Sequence, residues 1–297
     1  MPFNTILVAL LLLAIGFRCP SYADTVKVFD GSQKTTPDAQ GWLYITDPLP
    51  PPLGPGSCAT QSANGDGTHL NTNCNIRHSA GYFSQVPPLS HPLMPELDRA
   101  VGFTISFEIE ILSESHNNKD RAGFSIIVIT HDLKGIQLAF WEDEIWAQAD
   151  DPLFTHGEGG DFETTSGLML YRLALLGEEY FLSADGLTIL TGRLRDYTSF
   201  GKPYDIADFV FFGDDTSSAS ASIKVASVTH LDHATIVHCD VNGDGAIGLE
   251  DAILALQILA GLEPATPIGS QVDVNGDARL GLEEVSYIIQ KAAQLRQ

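Results

Sequence analysis

The sequence predicts a mainly-β protein: a β-sandwich of about 200 residues followed by a small α-helical C-terminal module. Three observations predict it. From 104 to 228, short β-rich runs recur between clusters of Gly, Asp, Asn or Pro. No long helical pattern interrupts residues 24–230. Near the C-terminus, a polar Gly-rich head with an amphipathic tail occurs twice, at Asp240 and again at Asp273, 33 residues on.

The chain opens with an apolar run, ILVALLLLAIGF, from Ile6 to Phe17. Twelve residues are too few to span a bilayer, which takes about 20, but suit a signal-peptide core. Ser21 and Ala23 place small residues before a cleavage point at Asp24, although no Lys or Arg precedes the run. Residues 1–23 are therefore expected to be a signal peptide, and the mature protein to be secreted, extracellular or at the cell surface. No second long apolar run follows, so no membrane span is expected. Cys19 leaves with the leader. Cys58 and Cys74 share one polar loop and can close a disulfide, worth about 3 kcal/mol in the chain-entropy model. Cys239 is left to pair with either or to stay a free thiol.

Residues 48–96 are rich in Pro, Ser and Asn and weakly periodic, and read as a long surface excursion. The strand candidates follow: TISFEIEI (104–111), FSIIVIT (124–130), IQLAFW (136–141), LMLYRLALL (168–176), YFLSA (180–184), DFVFFG (208–213) and SIKVASV (222–228). In the first, Ile105, Phe107, Ile109 and Ile111 fall on one face. Asp185-Gly186 between two runs is a two-residue hairpin signal. The domains are then 24–230 for the sandwich, 231–239 for a linker and 240–297 for the helical module. In that module Ile253, Leu256 and Leu259-Ala260 mark the first helix, Val285, Ile288-Ile289 and Ala292 the second, and Gly261 stops the first.

Sixteen Lys+Arg against 38 Asp+Glu leave a formal charge of −22. Such a field repels phosphate backbones and anionic membrane surfaces, which disfavours nucleic-acid partners. The composition, 44% hydrophobic and 9% aromatic, is too apolar for a disordered acidic chain.

The repeats carry calcium-loop spacing. Asp240, Asn242, Asp244 and Asp251 occupy loop positions 1, 3, 5 and 12, with the Ala246 carbonyl at 7 and a water at Gly248. Gly245 makes the sharp turn that lets three side chains within five residues converge on one cation. The second loop offers Asp273, Asn275, Asp277, the Arg279 carbonyl and Glu284. Its turn residue is Ala278, which costs about 1 kcal/mol in a left-handed conformation, so this loop should bind more weakly. These residues resemble a type I dockerin, a module of two calcium-loop-helix repeats that docks onto cohesin domains. The resemblance implies calcium as cofactor, a calcium-dependent fold and a cohesin-like or other extracellular protein partner. Leu249-Glu250 and Leu282-Glu283 stand where such modules often carry small hydroxyl residues for cohesin recognition, and the repeat spacing is longer than in compact members.

The phrases GFTISFEIEILSES, RAGFSIIVITHDLKGIQLAFWEDEIWAQ and FVFFGDDTSSASASIKVASV resemble the concanavalin A-like lectin/glucanase jelly-roll sandwich, laminin G-like members included. That resemblance implies either sugar binding or glycoside hydrolysis, and fold alone does not choose between them. Glu142 and Glu144 are the candidate catalytic carboxylates, but they read as the tip of a hairpin joining IQLAFW to IWAQ. Trp141 and Trp146 are candidates for stacking on a glycan, and Asp214 and Asp215 for ligating calcium or a sugar hydroxyl. His116, His131 and His156 have no zinc-site spacing, and no Ser-His-Asp arrangement, P-loop or dinucleotide fingerprint is present. The expected function is non-catalytic binding or assembly through a lectin-like domain; the alternative is a secreted glycoside hydrolase.

Overall fold

The alternating run at 104–111 forms the middle of the longest inner strand, β8 (Phe103–His116), and Ile105, Phe107, Ile109 and Ile111 all point into the core. The computed structural model describes residues 25–65, 67–232, 241, 247–262 and 281–292. Strands in chain order are β1 (Thr25–Asp30), β2 (Leu43–Asp47), β3 (Thr60–Asn64), β4 (Gly67–Asn71), β5 (Ser79–Phe83), β6 (Gln85–Val86) and β7 (Leu89–Ser90). After β8 come β9 (Phe124–Ile129), β10 (Gly135–Phe140), β11 (Glu144–Asp150), β12 (Leu153–Asp161), β13 (Met169–Leu176), β14 (Glu179–Ala184) and β15 (Leu187–Arg193). The last two are β16 (Phe209–Asp214) and β17 (Ala219–Asp232).

Two antiparallel sheets make a sandwich. One runs β15-β14-β13-β8-β17-β4-β3, with β1 added to β17; the other runs β12-β11-β10-β9-β16-β5-β2. Side chains from both inner faces, among them Phe107, Phe124, Phe140, Tyr171 and Phe212, form one core. The turn predicted at Asp185-Gly186 is present, with φ of 46° and 86° at the two residues and β14 and β15 paired on either side.

The strand FSIIVI of β9 is buried at every position. Ile126 and Val128 belong to the inter-sheet core, whereas Ile127 and Ile129 join a second cluster on the outer face with Phe154, Tyr197, Tyr204, Phe209 and Phe211. The seven-stranded sheet is thus covered on both sides, which explains a continuous apolar run in an antiparallel strand.

Two expectations are corrected. Residues 48–96 are not a surface excursion: β4 pairs with β17 and β5 with β16, and Leu70 and Tyr82 are buried. Five-residue strands with Gly, Ser, Thr and Asn at half of their positions leave little periodicity to detect. The strand expected to end near 230 also continues, as β17 runs through Asp232 into the assigned linker.

The helical tails form α1 (Leu249–Leu259) and α2 (Leu282–Ala292). Gly261 follows α1 with φ 73°, the left-handed conformation that ends a helix. The packed face differs from the expected one. Ala252 and Ala255 meet Val285 and Ile288, while Ile253, Leu256 and Leu259 are 40–49% exposed. The helix is apolar around most of its circumference, so periodicity alone does not select its inner face. Small alanines admit the neighbouring helix more closely than Ile or Leu would.

Candidate functional site: a cavity on the outer face of the seven-stranded sheet

Pairing sets Gln137 of β10 opposite Ile127 of β9, Ile127 opposite Phe211 of β16, and Phe211 opposite Phe83 of β5. This row floors a cavity of about 240 Å³. The row can lie flat because Gly81 and Gly213 face each other beside it. A Cβ on Gly81 would strike the Phe211 ring, and one on Gly213 (φ 145°) would come within 2.5 Å of the Gly81 Cα. Phe154, Phe200 and Tyr204 line one wall; Asp47, Ser79, Asp214 and Asp215 supply polar groups. Phe200 is 57% exposed, so an aromatic face stays open to solvent.

The polar groups are tied together. Gln137 is 1% exposed; its Nε2 donates to Asp215 Oδ2 at 2.7 Å, and its Oε1 accepts from the Tyr204 hydroxyl at 2.5 Å. Arg121 also lines the cavity, but its Nη1 donates to the carbonyls of Asp120 (3.0 Å) and Phe154 (2.9 Å), and the guanidinium lies 5.1 Å from the Phe154 ring centroid.

Asp214 ends β16 and is buried, whereas Asp215, just past the strand, is exposed. Asp214 is 3% exposed; its Oδ1 accepts from Thr216 N at 3.0 Å and its Oδ2 has no partner. Desolvation pushes its carboxyl up to about 8, only partly opposed by the nearby Thr72 hydroxyl and the Thr216 bond. Desolvation also raises Asp215, against the opposing effects of Ser125, the Arg121 charge and Gln137. Asp215 is exposed at the rim of the cavity, where water limits the desolvation penalty.

The two tryptophans do not form an open platform. Trp146 is fully buried, with the His156 ring stacked on it at 4.0 Å and 8°, so it has no face to offer a sugar. Trp141 is half-buried; His116 stacks on it at 4.2 Å, and its Nε1 donates to the Arg121 carbonyl at 2.8 Å. A strand read only for alternation gave no hint that the 117–122 connection folds back over this face.

Glu142 does lie in the turn between β10 and β11, whereas Glu144 begins β11. Glu142 Oε1 accepts from Glu114 N at 3.0 Å, and Glu144 Oε1 lies 3.0 Å from His156 Nε2. They do not share a cavity. Glu142 lines a shallow depression of about 380 Å³ with Glu114, His116, Trp141 and Glu163, and Glu144 is not part of it. Glu114 there is raised by desolvation, yet its oxygens are taken by Gly123 N (3.0 Å) and His116 Nδ1 (2.9 Å).

Among the expected calcium ligands, Asp251 is described. It is fully buried in the first turn of α1, and its carboxylate accepts from Val241 N at 2.7 Å and Gly248 N at 2.6 Å. This buried carboxylate closes the loop onto the first turn of the helix. Asp240, Asn242, Asp244, Ala246, Asp273, Asn275, Asp277 and Arg279, the side chain of Glu284, Cys239 and residues 1–23, expected to be a signal peptide, lie outside the described residues. Cys58 and Cys74 are joined in a disulfide. No helix among the described residues is long and apolar enough to cross a membrane.

No family model and no curated protein matches this chain. Among solved structures, a carbohydrate esterase from Shiga toxin-encoding bacteriophage phi24B is similar at TM-score 0.47 and 11% identity, over 71% of this chain and 100% of that one. An endo-1,3-beta-glucanase from Streptomyces sioyaensis gives 0.42 and 13%, over 72% and 99%. A lectin from Bauhinia forficata in complex with GalNAc gives 0.40 and 11%, over 71% and 99%. Values this low transfer neither activity nor ligand.

Proposed function

We propose that this chain is a secreted, non-catalytic carbohydrate-binding protein whose concanavalin A-like sandwich takes a sugar ring in the cavity above Gln137 and Asp215. The observation that carries this reading is the pairing of an exposed aromatic, Phe200, with a fixed carboxylate–amide pair across an apolar floor. A pyranose offers an apolar C–H face to an aromatic ring and hydroxyls to carboxylate and amide groups, so both halves of the cavity have a use. Net negative charge at the rim suits a neutral ligand better than an anionic one.

In the same reading the C-terminal module is dockerin-like and joins the protein to a cohesin-like or other extracellular partner. Calcium would be held by Asp240, Asn242, Asp244, the Ala246 carbonyl and Asp251, and by Asp273, Asn275, Asp277, the Arg279 carbonyl and Glu284. Its double charge would hold together the carboxylates of each loop. The buried Asp251 supports this.

The alternative is a glycoside hydrolase. One observation favours it: Asp214 stays protonated to about pH 8, the state asked of a general acid. Against it, Asp214 is 3% exposed and Asp215 is held by Gln137, whereas a glycosidase needs two carboxyls facing one bond.

A glycan array followed by calorimetric titration of the best ligand tests the proposal. Binding that Asp215→Asn weakens at least about fivefold supports it. Binding unchanged by Asp215→Asn and Phe200→Ala would move the site elsewhere, and no binding to any glycan would refute it.

A further inference from the structure

The Cys58–Cys74 disulfide has a third group beside it. His78 Nδ1 lies 3.1 Å from Cys58 Sγ, and the donor atoms of Cys58, Cys74 and His78 all fall within 4.8 Å of one another. Both cysteines are exposed and His78 is half-buried, so reductant and ion can reach them.

The imidazole is held in the form a metal requires. The Cys58 main-chain N–H donates to His78 Nδ1 at 3.1 Å, so Nδ1 is the unprotonated nitrogen and its one lone pair would exchange that hydrogen bond for the metal. Donor atoms on a tetrahedral zinc ion are about 3.5–3.8 Å apart, given bonds of about 2.3 Å to sulfur and 2.0 Å to nitrogen. The His78–Cys58 separation is close to this already. Cys74 and His78 are also spaced C-x3-H, short enough for one turn to present both.

The loop has supports other than the disulfide. His78 N donates to the Asn75 carbonyl (2.8 Å), Arg77 N to Asn75 Oδ1 (3.1 Å) and Asn73 N to Asn71 Oδ1 (2.9 Å). Asn73 Nδ2 donates to Ser113 Oγ at 2.8 Å, which ties the loop to β8. Cys58 stands two residues before β3, which pairs with β4. The backbone carrying the three groups is therefore held without the sulfur–sulfur bond, and rotation of the two cysteine side chains would part the sulfurs to about 3.8 Å, as zinc needs.

We propose that the disulfide masks a soft-metal site: on reduction, Cys58, Cys74 and His78 bind one zinc-class divalent cation, with the fourth position left to water. A dithiol supplies two electrons and two protons and becomes a disulfide, while the Cys58–Cys74 bond breaks to two thiols. Both thiol protons leave when the thiolates take the metal. Soft sulfur ligands select this class of ion over calcium, which takes oxygen.

The test uses the full chain carrying Cys19→Ser and Cys239→Ser, reduced with a phosphine and titrated with Co²⁺. We expect one equivalent to give a thiolate-to-cobalt charge-transfer band, displaced by Zn²⁺ and absent from the oxidised protein. Cobalt on oxygen-rich calcium loops gives no such band. His78→Ala should weaken binding at least about tenfold. Circular dichroism that matches before and after reduction verifies an intact sandwich. With the sandwich intact, no band on reduction would overturn the proposal, as would equal affinity in His78→Ala or in the oxidised protein.

Discussion

Nε2 of Gln137 holds Oδ2 of Asp215 at 2.7 Å, and it does so from the middle of a strand in which every residue is buried. The amide also accepts from Tyr204, so one side chain fixes both a carboxylate and an aromatic wall of the cavity. Gln137→Leu keeps the volume and removes both bonds. It leaves the Tyr204 hydroxyl buried without its partner, at about 1–3 kcal/mol. Thermal unfolding should show that loss, and glycan affinity should fall with it.

Phe200 gives the complementary case. It is exposed, so Phe200→Ala should leave the unfolding temperature nearly unchanged. Loss of the stacking face should remove about 1 kcal/mol of binding, roughly fivefold in Kd. Titration calorimetry on the two variants separates a stability effect from a contact effect.

Asp214 sets a pH dependence with a definite sign. Its folded pKa, about 8, lies above the ordinary 3.8, so the folded state holds a proton that the unfolded chain releases. Its contribution is therefore lost progressively as pH rises from about 4 to 8, and the full cost of a buried charge is present above that. At about 1.4 kcal/mol per unit the span is on the order of 5 kcal/mol. Asp214→Asn, which mimics the neutral acid, should flatten this part of the stability–pH curve measured by urea unfolding. A variant curve parallel to that of the parent would contradict the assignment.

The strand framework was legible in the sequence because β8, β9, β10, β13 and β16 carry Ile, Leu, Val and Phe at the required spacing. β4 and β5 were not, because Gly, Ser, Thr and Asn fill half of their ten positions and only partner strands decide their fate. The cavity was half legible. Asp214 and Asp215 stood out as acids ending an apolar strand, and Gln137 was a readable signal too: a lone amide inside GIQLAF. Phe200 and Tyr204 gave none, since they lie outside regular strands and reach the site only by a chain reversal over the sheet. The tryptophans misled for the same reason, as composition does not reveal what covers a face.

Calcium removal tests the C-terminal module. Its described core, Val241, Ala252, Ala255, Val285 and Ile288, is too small to fold unaided, so helicity should depend on the ion. Far-ultraviolet circular dichroism of the isolated 240–297 segment should gain helix on calcium addition and lose it with chelator. Asp240→Ala should hurt more than Asp273→Ala, since only the first loop has glycine at its turn. Equal helicity in both conditions would remove the metal from the account.

Hydrolysis is the sharpest point of difference between the two functional readings, and we expect none. Glycosidase chemistry needs one carboxyl protonated and another ionised across a single bond, about 5–5.5 Å apart in retaining enzymes. Glu142 and Glu144 fail on geometry, because Glu142 is held by Glu114 N and Glu144 by His156, in different surroundings. The depression beside Glu142 does have walls, and its other carboxyls are Glu114, Asp143 and Glu163, of which Glu163 is lowered by Thr165 and Glu114 raised by desolvation. The two Glu114 oxygens are spent on Gly123 N and His116, bonds that tie β8 to the start of β9 and leave no free edge for a leaving group. Asp214 has the protonation of an acid but is 3% exposed, and Asp215 is held by Gln137. Reducing-end release from β-glucans, xylan, agar and carrageenan should therefore be absent, and Glu142→Gln, Glu144→Gln and Glu114→Gln should leave glycan binding intact. Release abolished by any of these substitutions would make the protein an enzyme with that residue at its centre. Release abolished only by Asp214→Asn would place the acid at the end of β16 and require the ligand to reach past Asp215.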